Sequence, residues 1–182
     1  MDMIEGLTFL GLESMFIALI LFAMVWLGFS RLHSSIGRTR DGIPPGKVIP
    51  SWALSDLDGR LRITPASEHS QLLIFADHSL SSFPDLVSGV NQLAATVPEL
   101  EVLVLSRESR ELCEATVRAL SLQVPIVQVD QAFYDRYRVR VMPFIYFLNP
   151  TGKVQWVGVV SAKQTLLHTW YMLQTMSTGA QL

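Results

Sequence analysis

The sequence predicts an α/β domain, with a central mixed β-sheet flanked by helices, preceded by one N-terminal transmembrane helix. Three observations carry this prediction. Residues 14–30 contain no charged side chain, short apolar runs alternate with stretches of helical periodicity after residue 50, and a length of 182 residues fits one ordinary domain with an appendage. We expect a transmembrane anchor at residues 1–31, a linker at 32–49 and the α/β domain at 50–182.

The N-terminal apolar run is the reason for predicting an anchor. As a helix, residues 14–30 would span about 25 Å, close to a bilayer core of about 30 Å, and apolar residues before Glu13 extend the run. A cleaved signal peptide fits poorly, because Asp2 and Glu5 stand where basic residues are usual. A buried core helix is the alternative, although this run has no polar face. The basic residues that follow the anchor would, by the positive-inside rule, place the domain in the cytoplasm.

The strands of the domain are predicted from short apolar runs and turn residues. A hairpin comes first, with 52–54 and 61–63 flanking Asp58 and Gly59, a pair typical of a type I′ turn. Buried strands follow at 71–76, 101–106 and 125–129, and a last hairpin joins 144–148 to 154–160 through an Asn-Pro-Thr-Gly-Lys turn. Parallel pairing is expected in the middle of the sheet and antiparallel pairing at its end.

Three stretches have the apolar spacing of amphipathic helices. The first, 84–97, has Pro84 in its first turn, with Ser81 or Ser82 as its cap. The second spans 109–121, and the third, 164–176, closes the domain. In the second helix, the residues predicted to face the core are Leu112, Thr116, Ala119 and Leu120.

Composition excludes several classes of function. The 14 Lys and Arg residues balance 16 Asp and Glu residues, which argues against a nucleic-acid partner. A single cysteine, Cys113, rules out a disulfide, a Cys-x-x-Cys redox pair and a cysteine-based zinc site within this sequence. The four histidines have no metal-binding spacing, and there is no Gly-rich phosphate loop. We therefore expect no metal and no cofactor.

The order of elements and the residues Val141-Met142-Pro143-Phe144, which open the last hairpin, resemble the thioredoxin-like fold. In that family this strand opens with a cis-proline that faces the redox cysteines, and Pro143 matches the position. A narrower resemblance is to membrane-anchored thioredoxins of the methylamine-utilisation accessory (MauD) type. It is carried by the anchor ending in Arg-Leu-His, the Gly/Pro linker and the closing Val-Ser-Ala-Lys-Gln-Thr-Leu-Leu helix.

The narrower resemblance implies a location and partners. Proteins of this type are anchored with their domain in the periplasm and are thought to form or shuffle disulfides in a partner enzyme. It implies a single-pass protein of the inner membrane, held in lipid by residues 14–30, with an integral membrane or periplasmic complex as partner. The resemblance and the positive-inside rule therefore disagree on the side of the membrane, and we follow the resemblance.

The sequence departs from the family where its chemistry resides. The Cys-x-x-Cys pair of the family follows the first buried strand, and in this chain the matching positions are Leu80 and Phe83 or, shifted by one residue, Ser79 and Ser82. Neither register contains a thiol, and dithiol exchange requires an attacking thiolate and a resolving thiol. The sequence predicts no catalytic residue, and the redox site is degenerate.

Two other groups invite a chemical interpretation. Cys113 could serve a one-cysteine redox reaction, but a free cysteine on a helix is more often a small buried apolar residue. Asp77, His78 and Ser79 are the residue types of a hydrolase triad, but neighbours in sequence usually point apart. A serine-rich loop that caps the following helix is the better interpretation of this segment.

If the fold is correct, five apolar residues gather at the former redox site: Leu80, Phe83, Met142, Pro143 and Phe144. They form either a partner-binding face or a relic covered by the protein's own loops. The functional expectation is a non-catalytic membrane-anchored subunit with a structural or assembly role. The alternative is a thiol-disulfide oxidoreductase or maturation chaperone that uses Cys113.

Overall fold

The computed structural model describes residues 41–79, 81–160 and 162–179, with side chains described as far as residue 175. The predicted anchor, the first half of the predicted linker and Leu80 lie outside these residues. Within the described ranges, no helix is long and apolar enough to cross a membrane.

Seven strands and four helices make up the described chain. The strands are β1 (Trp52–Ser55), β2 (Leu61–Thr64), β3 (Ser70–Ala76), β4 (Leu100–Ser106), β5 (Ile126–Gln128), β6 (Phe144–Leu148) and β7 (Val154–Val159). The helices are α1 (Phe83–Thr96), α2 (Arg110–Leu120), α3 (Gln131–Arg136) and α4 (Lys163–Gly179). The mixed α/β architecture expected from the sequence is confirmed.

Strands β3 to β7 form one mixed sheet in the order β5-β4-β3-β6-β7, and β1 and β2 form a separate hairpin. Strands β3, β4 and β5 run parallel, whereas β6 pairs antiparallel with β3 and β7 antiparallel with β6. Helices α1 and α2 connect the parallel strands, as such crossovers require. Because β3 and β4 are covered on both faces, they are almost continuously apolar.

Successive side chains of β3 and β6 point to opposite faces of the sheet, so a hydrophobic core lies on each face. In the first core, Ile74 and Ile145 pack with residues of α1, α2 and α4, including Leu93, Cys113 and Trp170. In the second core, Phe75 and Phe144 pack with Trp52 of the hairpin and with the aromatic residues Phe133, Tyr134, Tyr137 and Tyr146.

The segment 41–49 lies against the domain. Gly42 donates its backbone N–H to the carbonyl of Arg138 over 2.8 Å, and Gly46 donates to Val154 over 2.8 Å. The hydroxyl of Tyr146 accepts the N–H of Ile43 at 2.8 Å. These bonds fix the path of the chain into β1.

Three local expectations are corrected, and one further helix has no counterpart in the sequence prediction. The β1–β2 connection is not a two-residue type I′ turn, because Gly59 has a positive φ but Asp58 does not; Asp56 organises a wider loop. Leu112 is 45% exposed, and its neighbour Cys113 faces the core instead. Ser82 occupies the N-cap of α1 but its side chain makes no capping bond. The six-residue helix α3 was not predicted, since it is shorter than two helical turns.

Candidate functional site at the end of the central strand

The register of β3 with β6 assembles the candidate site. Phe75 pairs with Phe144 in an antiparallel register. Pro143, which directly precedes Phe144, therefore lies beside the carboxyl end of β3, where residues 77–79 leave the sheet. The peptide bond between Met142 and Pro143 is cis, the isomer that the resemblance implies for this position. The fold therefore brings the segment after β3 and the proline loop to the same edge of the sheet.

Asp77 and Ser79 form a closed turn after β3. The Asp77 carboxylate accepts the backbone N–H of Ser79 at 3.0 Å and its hydroxyl at 2.6 Å. These two bonds, together with the positive charge of Arg107, hold the pKa of Asp77 below its usual value. The Asp77 carboxylate and the Ser79 hydroxyl are therefore bonded to each other, and the carboxylate stabilises the turn.

His78 points away from Ser79 and toward α1 and α2. Its ring stacks on Phe83 with centroids 4.9 Å apart, and its Nδ1 lies 3.2 Å from the hydroxyl of Thr116. Its Nε2 is buried and has no hydrogen-bond partner within the described residues. Burial lowers the pKa of His78, against the opposing effect of Glu108 and Asp77, and favours the neutral imidazole.

Tyr134 and Arg107 lie at the carboxyl end of β4, which is next to that of β3. The Tyr134 hydroxyl donates to the carbonyl of Leu105 at 2.9 Å and lies 3.3 Å from that of Ala76. The Arg107 guanidinium sits 4.6 Å above the centre of the Tyr134 ring and donates to the side chain of Gln131. Burial raises the pKa of Tyr134, so the hydroxyl stays protonated and serves as a donor.

Cys113 lies on α2 with no exposed surface. Its sulfur packs in the first core and lies 3.8 Å from the carbonyl of Glu108. Burial raises the pKa of its thiol, a hydrogen bond with Ser106 acts in the opposite direction, and Glu108 and Glu114 raise it further. A protonated, enclosed thiol is a poor nucleophile.

The apolar residues expected at the former redox site do not share one surface. Phe83 is 1% exposed in the first core, whereas Phe144 is fully buried in the second. Pro143 is buried and Met142 half-buried against the second core. In this conformation, an apolar contact at the site would fall on Met142 and on Val141, which is 41% exposed. Leu80 lies outside the described residues.

The geometry limits what the site can do chemically. A hydrolase relay would need His78 between Asp77 and Ser79, but the carboxylate binds the serine directly and the imidazole turns toward Thr116. No group of three His, Cys, Asp or Glu side chains arranged to hold a metal occurs among the described residues. Sequence reasoning missed the roles of Arg107, Thr116 and Tyr134, since each depends on contacts between distant elements.

Comparison with known proteins gives the fold a name. No family model matches the chain, and no curated protein matches it. Among solved structures, a protein described as thiol:disulfide interchange protein DsbE from Chlorobium tepidum superposes with a TM-score of 0.65 at 16% identity, covering 72% of this chain and 98% of that one. A peroxiredoxin-like protein from Aquifex aeolicus gives 0.59 at 15% identity, covering 76% and 90%. StoA from Bacillus subtilis gives 0.55 at 16% identity, covering 67% and 98%.

These similarities show a thioredoxin-like fold, as the sequence predicts. The neighbours include proteins described as thiol-disulfide oxidoreductases. At these identities the fold is shared, and function depends on the residues that each chain places at its site.

Proposed function

We propose that this protein is a non-catalytic, membrane-anchored thioredoxin-fold subunit that acts through protein contacts in a membrane-associated complex. One observation carries the proposal: the only cysteine of the sequence, Cys113, is fully buried in the core on α2, and the degenerate redox positions hold no thiol. The segment that would hold the dithiol is instead closed by the Asp77–Ser79 turn and the stack of His78 on Phe83.

The chemistry of exchange supports this proposal. Forming or breaking a disulfide requires a thiolate that attacks a sulfur and a second thiol that resolves the mixed disulfide. Serine cannot replace either group, because its hydroxyl does not ionise near neutral pH and forms no reversible bond of this kind. Ser79 and Phe83, which stand at two of the candidate dithiol positions, maintain local structure through the turn with Asp77 and through core packing, as expected of a scaffold.

The alternative is a thiol-disulfide oxidoreductase or maturation chaperone that uses Cys113 with a thiol of its partner. The structural neighbours favour this alternative over a purely structural role, because they include proteins described as oxidoreductases. It would require α2 to open, since the thiol has no exposed surface.

We also propose that the protein is attached to the membrane, and on which side of the membrane its domain lies. Residues 14–30 would insert in the inner membrane, and the domain would lie in the periplasm. A reporter enzyme fused after Leu182, active on only one side of the membrane, tests the side: periplasmic activity supports the proposal, and cytoplasmic activity overturns it.

Purification of the tagged full chain in mild detergent separates the two functions. A non-catalytic subunit predicts a stoichiometric complex that survives reducing agent and is unchanged by Cys113→Ala. An oxidoreductase predicts a mixed disulfide with a substrate, which is trapped by alkylation and disappears in the Cys113→Ala variant. Recovery of the mixed disulfide, or failure to isolate any complex, would overturn the proposed function.

A further inference from the structure

A positively charged groove of about 540 Å³ lies between the segment that precedes β1 and the turn that follows α3. Its basic side chains are Lys47, Arg136 and Arg138, all exposed, and its apolar wall includes Ile43, Pro44 and Val48. Val48 is 63% exposed and, with the exposed Pro44, gives the groove an apolar rim.

The groove has a defined backbone shape. Gly42 binds the carbonyl of Arg138, and the carbonyl of Lys47 accepts the N–H of Val154 at 2.8 Å. The two walls are therefore joined to each other and to β7. The basic side chains project from a fixed frame, which reduces the entropy lost when a ligand binds them.

Basic side chains outnumber the carboxylates around the groove: Lys47, Arg136, Arg138 and Arg140 against Asp41 and Asp135. No carboxylate lines the groove itself, and none of its three cations belongs to a described ion pair. Asp135, on α3, accepts a hydrogen bond of 2.9 Å from Gln131 and lines the adjoining cavity with Arg138, where its charge offsets part of the positive charge. Arg140 adds a further cation beside Arg138. A surface with basic side chains and exposed apolar residues fits an anionic interface with an apolar interior.

We infer that this groove docks the domain on anionic lipid headgroups of the membrane in which the protein is anchored. This inference rests on the membrane anchoring proposed above, and it adds which surface of the domain faces the bilayer. The predicted anchor ends near residue 30 and the groove begins at Ile43, so the connecting chain can extend at most about 45 Å. Tethering at this range keeps the groove at a high effective concentration of headgroups, so a few cations suffice.

The test uses the full chain in nanodiscs of phosphatidylcholine, alone or mixed with phosphatidylglycerol. An environment-sensitive fluorophore is attached at Val48→Cys in a Cys113→Ala background, where it lies on the groove. We expect an apolar shift in fluorescence with phosphatidylglycerol and its loss at high salt. Lys47→Glu with Arg136→Glu should reduce the docked-to-undocked ratio by at least about 25-fold, since each cation lost from an anionic surface removes a factor of about five and the two added carboxylates are repelled.

The matched control is Arg60→Glu with Arg118→Glu. It makes the same change in net charge at two exposed arginines that line a different cavity, between the β1–β2 loop and α2. Docking that survives in this control and fails in the groove variant supports the proposal. An equal loss in both variants would show only a general charge effect and would overturn it.

Anchoring is measured separately by flotation with phosphatidylcholine vesicles after an alkaline wash. Flotation without any phosphatidylglycerol-dependent fluorescence would overturn docking and leave anchoring intact. Flotation only with phosphatidylglycerol would overturn anchoring and keep the groove as a lipid site. A fluorescence response to soluble polyglutamate that exceeds the response to phosphatidylglycerol would overturn the lipid proposal and indicate an acidic protein partner.

Discussion

Replacing Asp56 should destabilise the domain more than any other change to a charged side chain considered in this protein. The Asp56 side chain is 1% exposed and accepts three hydrogen bonds: from the backbone of Asp58 at 3.0 Å and Arg60 at 2.9 Å, and from Nε of Arg62 at 2.8 Å. Its ion pair with Arg62 also brings Nη2 to 2.8 Å. The network continues from Arg62 to Glu101 at 3.5 Å, so it joins the β1–β2 hairpin to β4 of the central sheet.

The magnitude follows from what Asp56→Ala leaves behind. Breaking a buried ion pair by removing one partner costs about 3–5 kcal/mol. The lower end applies, since the side chain of Arg62 is 23% exposed and keeps Glu101 as a partner. We expect a loss of about 3 kcal/mol for Asp56→Ala and about half of that for Asp56→Asn, which keeps an acceptor for the two backbone N–H groups.

The assay is urea unfolding of the full chain in mild detergent, followed by tryptophan fluorescence. Arg62→Met is the second variant, so the network can be tested even if Asp56→Ala does not fold. Burial raises the pKa of Asp56, but hydrogen bonds from Arg60 and Arg62 and the charge of Arg62 outweigh it and hold the pKa below its usual value.

Because the folded pKa is depressed, the contribution of Asp56 is present above the unfolded pKa of about 3.9 and is lost as pH falls through the folded value. The difference between wild type and Asp56→Asn should therefore be constant near neutral pH and shrink below about pH 4. A change under about 0.5 kcal/mol for Asp56→Ala at pH 7, or a difference that grows on acidification, would refute this reasoning.

Three further predictions concern single residues. Tyr146→Phe should cost about 2 kcal/mol by urea unfolding and speed amide exchange at Ile43, because the buried hydroxyl joins Ile43 to the carbonyl of Tyr137; unchanged exchange would contradict this role. Gly152→Ala should destabilise the domain more than the control Gly59→Ala. Both glycines have a positive φ, but only the methyl group added at position 152 would lie 2.9 Å from Pro65. Equal losses of unfolding free energy would argue against the contact. His78→Phe should reduce the loss of stability between pH 7 and pH 5, because burial depresses the pKa of His78 and acid therefore favours the unfolded chain. An identical pH profile in the variant would show that the pKa of His78 is the same in the folded and the unfolded chain, and would contradict the prediction.

The sheet could be predicted from the sequence because its central strands are buried on both faces. Strands β3 and β4 are continuous apolar runs, and the predicted bounds of β6 agree with the structure. Helix α3 escaped prediction because six residues do not establish a period, although Asp130, which caps it by accepting the N–H of Phe133 at 2.8 Å, was a usable signal.

The site was less predictable than the sheet, because its contacts join residues far apart in sequence. Thr116 meets His78 across 38 positions, and Tyr134 reaches Ala76 across 58. Periodicity also cannot tell which face of a sheet a strand residue occupies once both faces are apolar. The sequence therefore predicts Phe83 and Phe144 on one surface. In the structure Phe83, at the start of α1, packs in the core on one face of the sheet, and Phe144 of β6 packs in the core on the other.

The rate at which Cys113 reacts with an alkylating reagent tests the central claim most directly. If the thiol reacts only when the domain opens, even a marginal stability of about 5 kcal/mol slows the native reaction by about three and a half orders of magnitude relative to the chain in urea. We predict this protection at neutral pH for the full chain in mild detergent. Stoichiometric labelling at the rate of a free thiol would contradict the account, since it would reveal an accessible thiolate and favour the oxidoreductase.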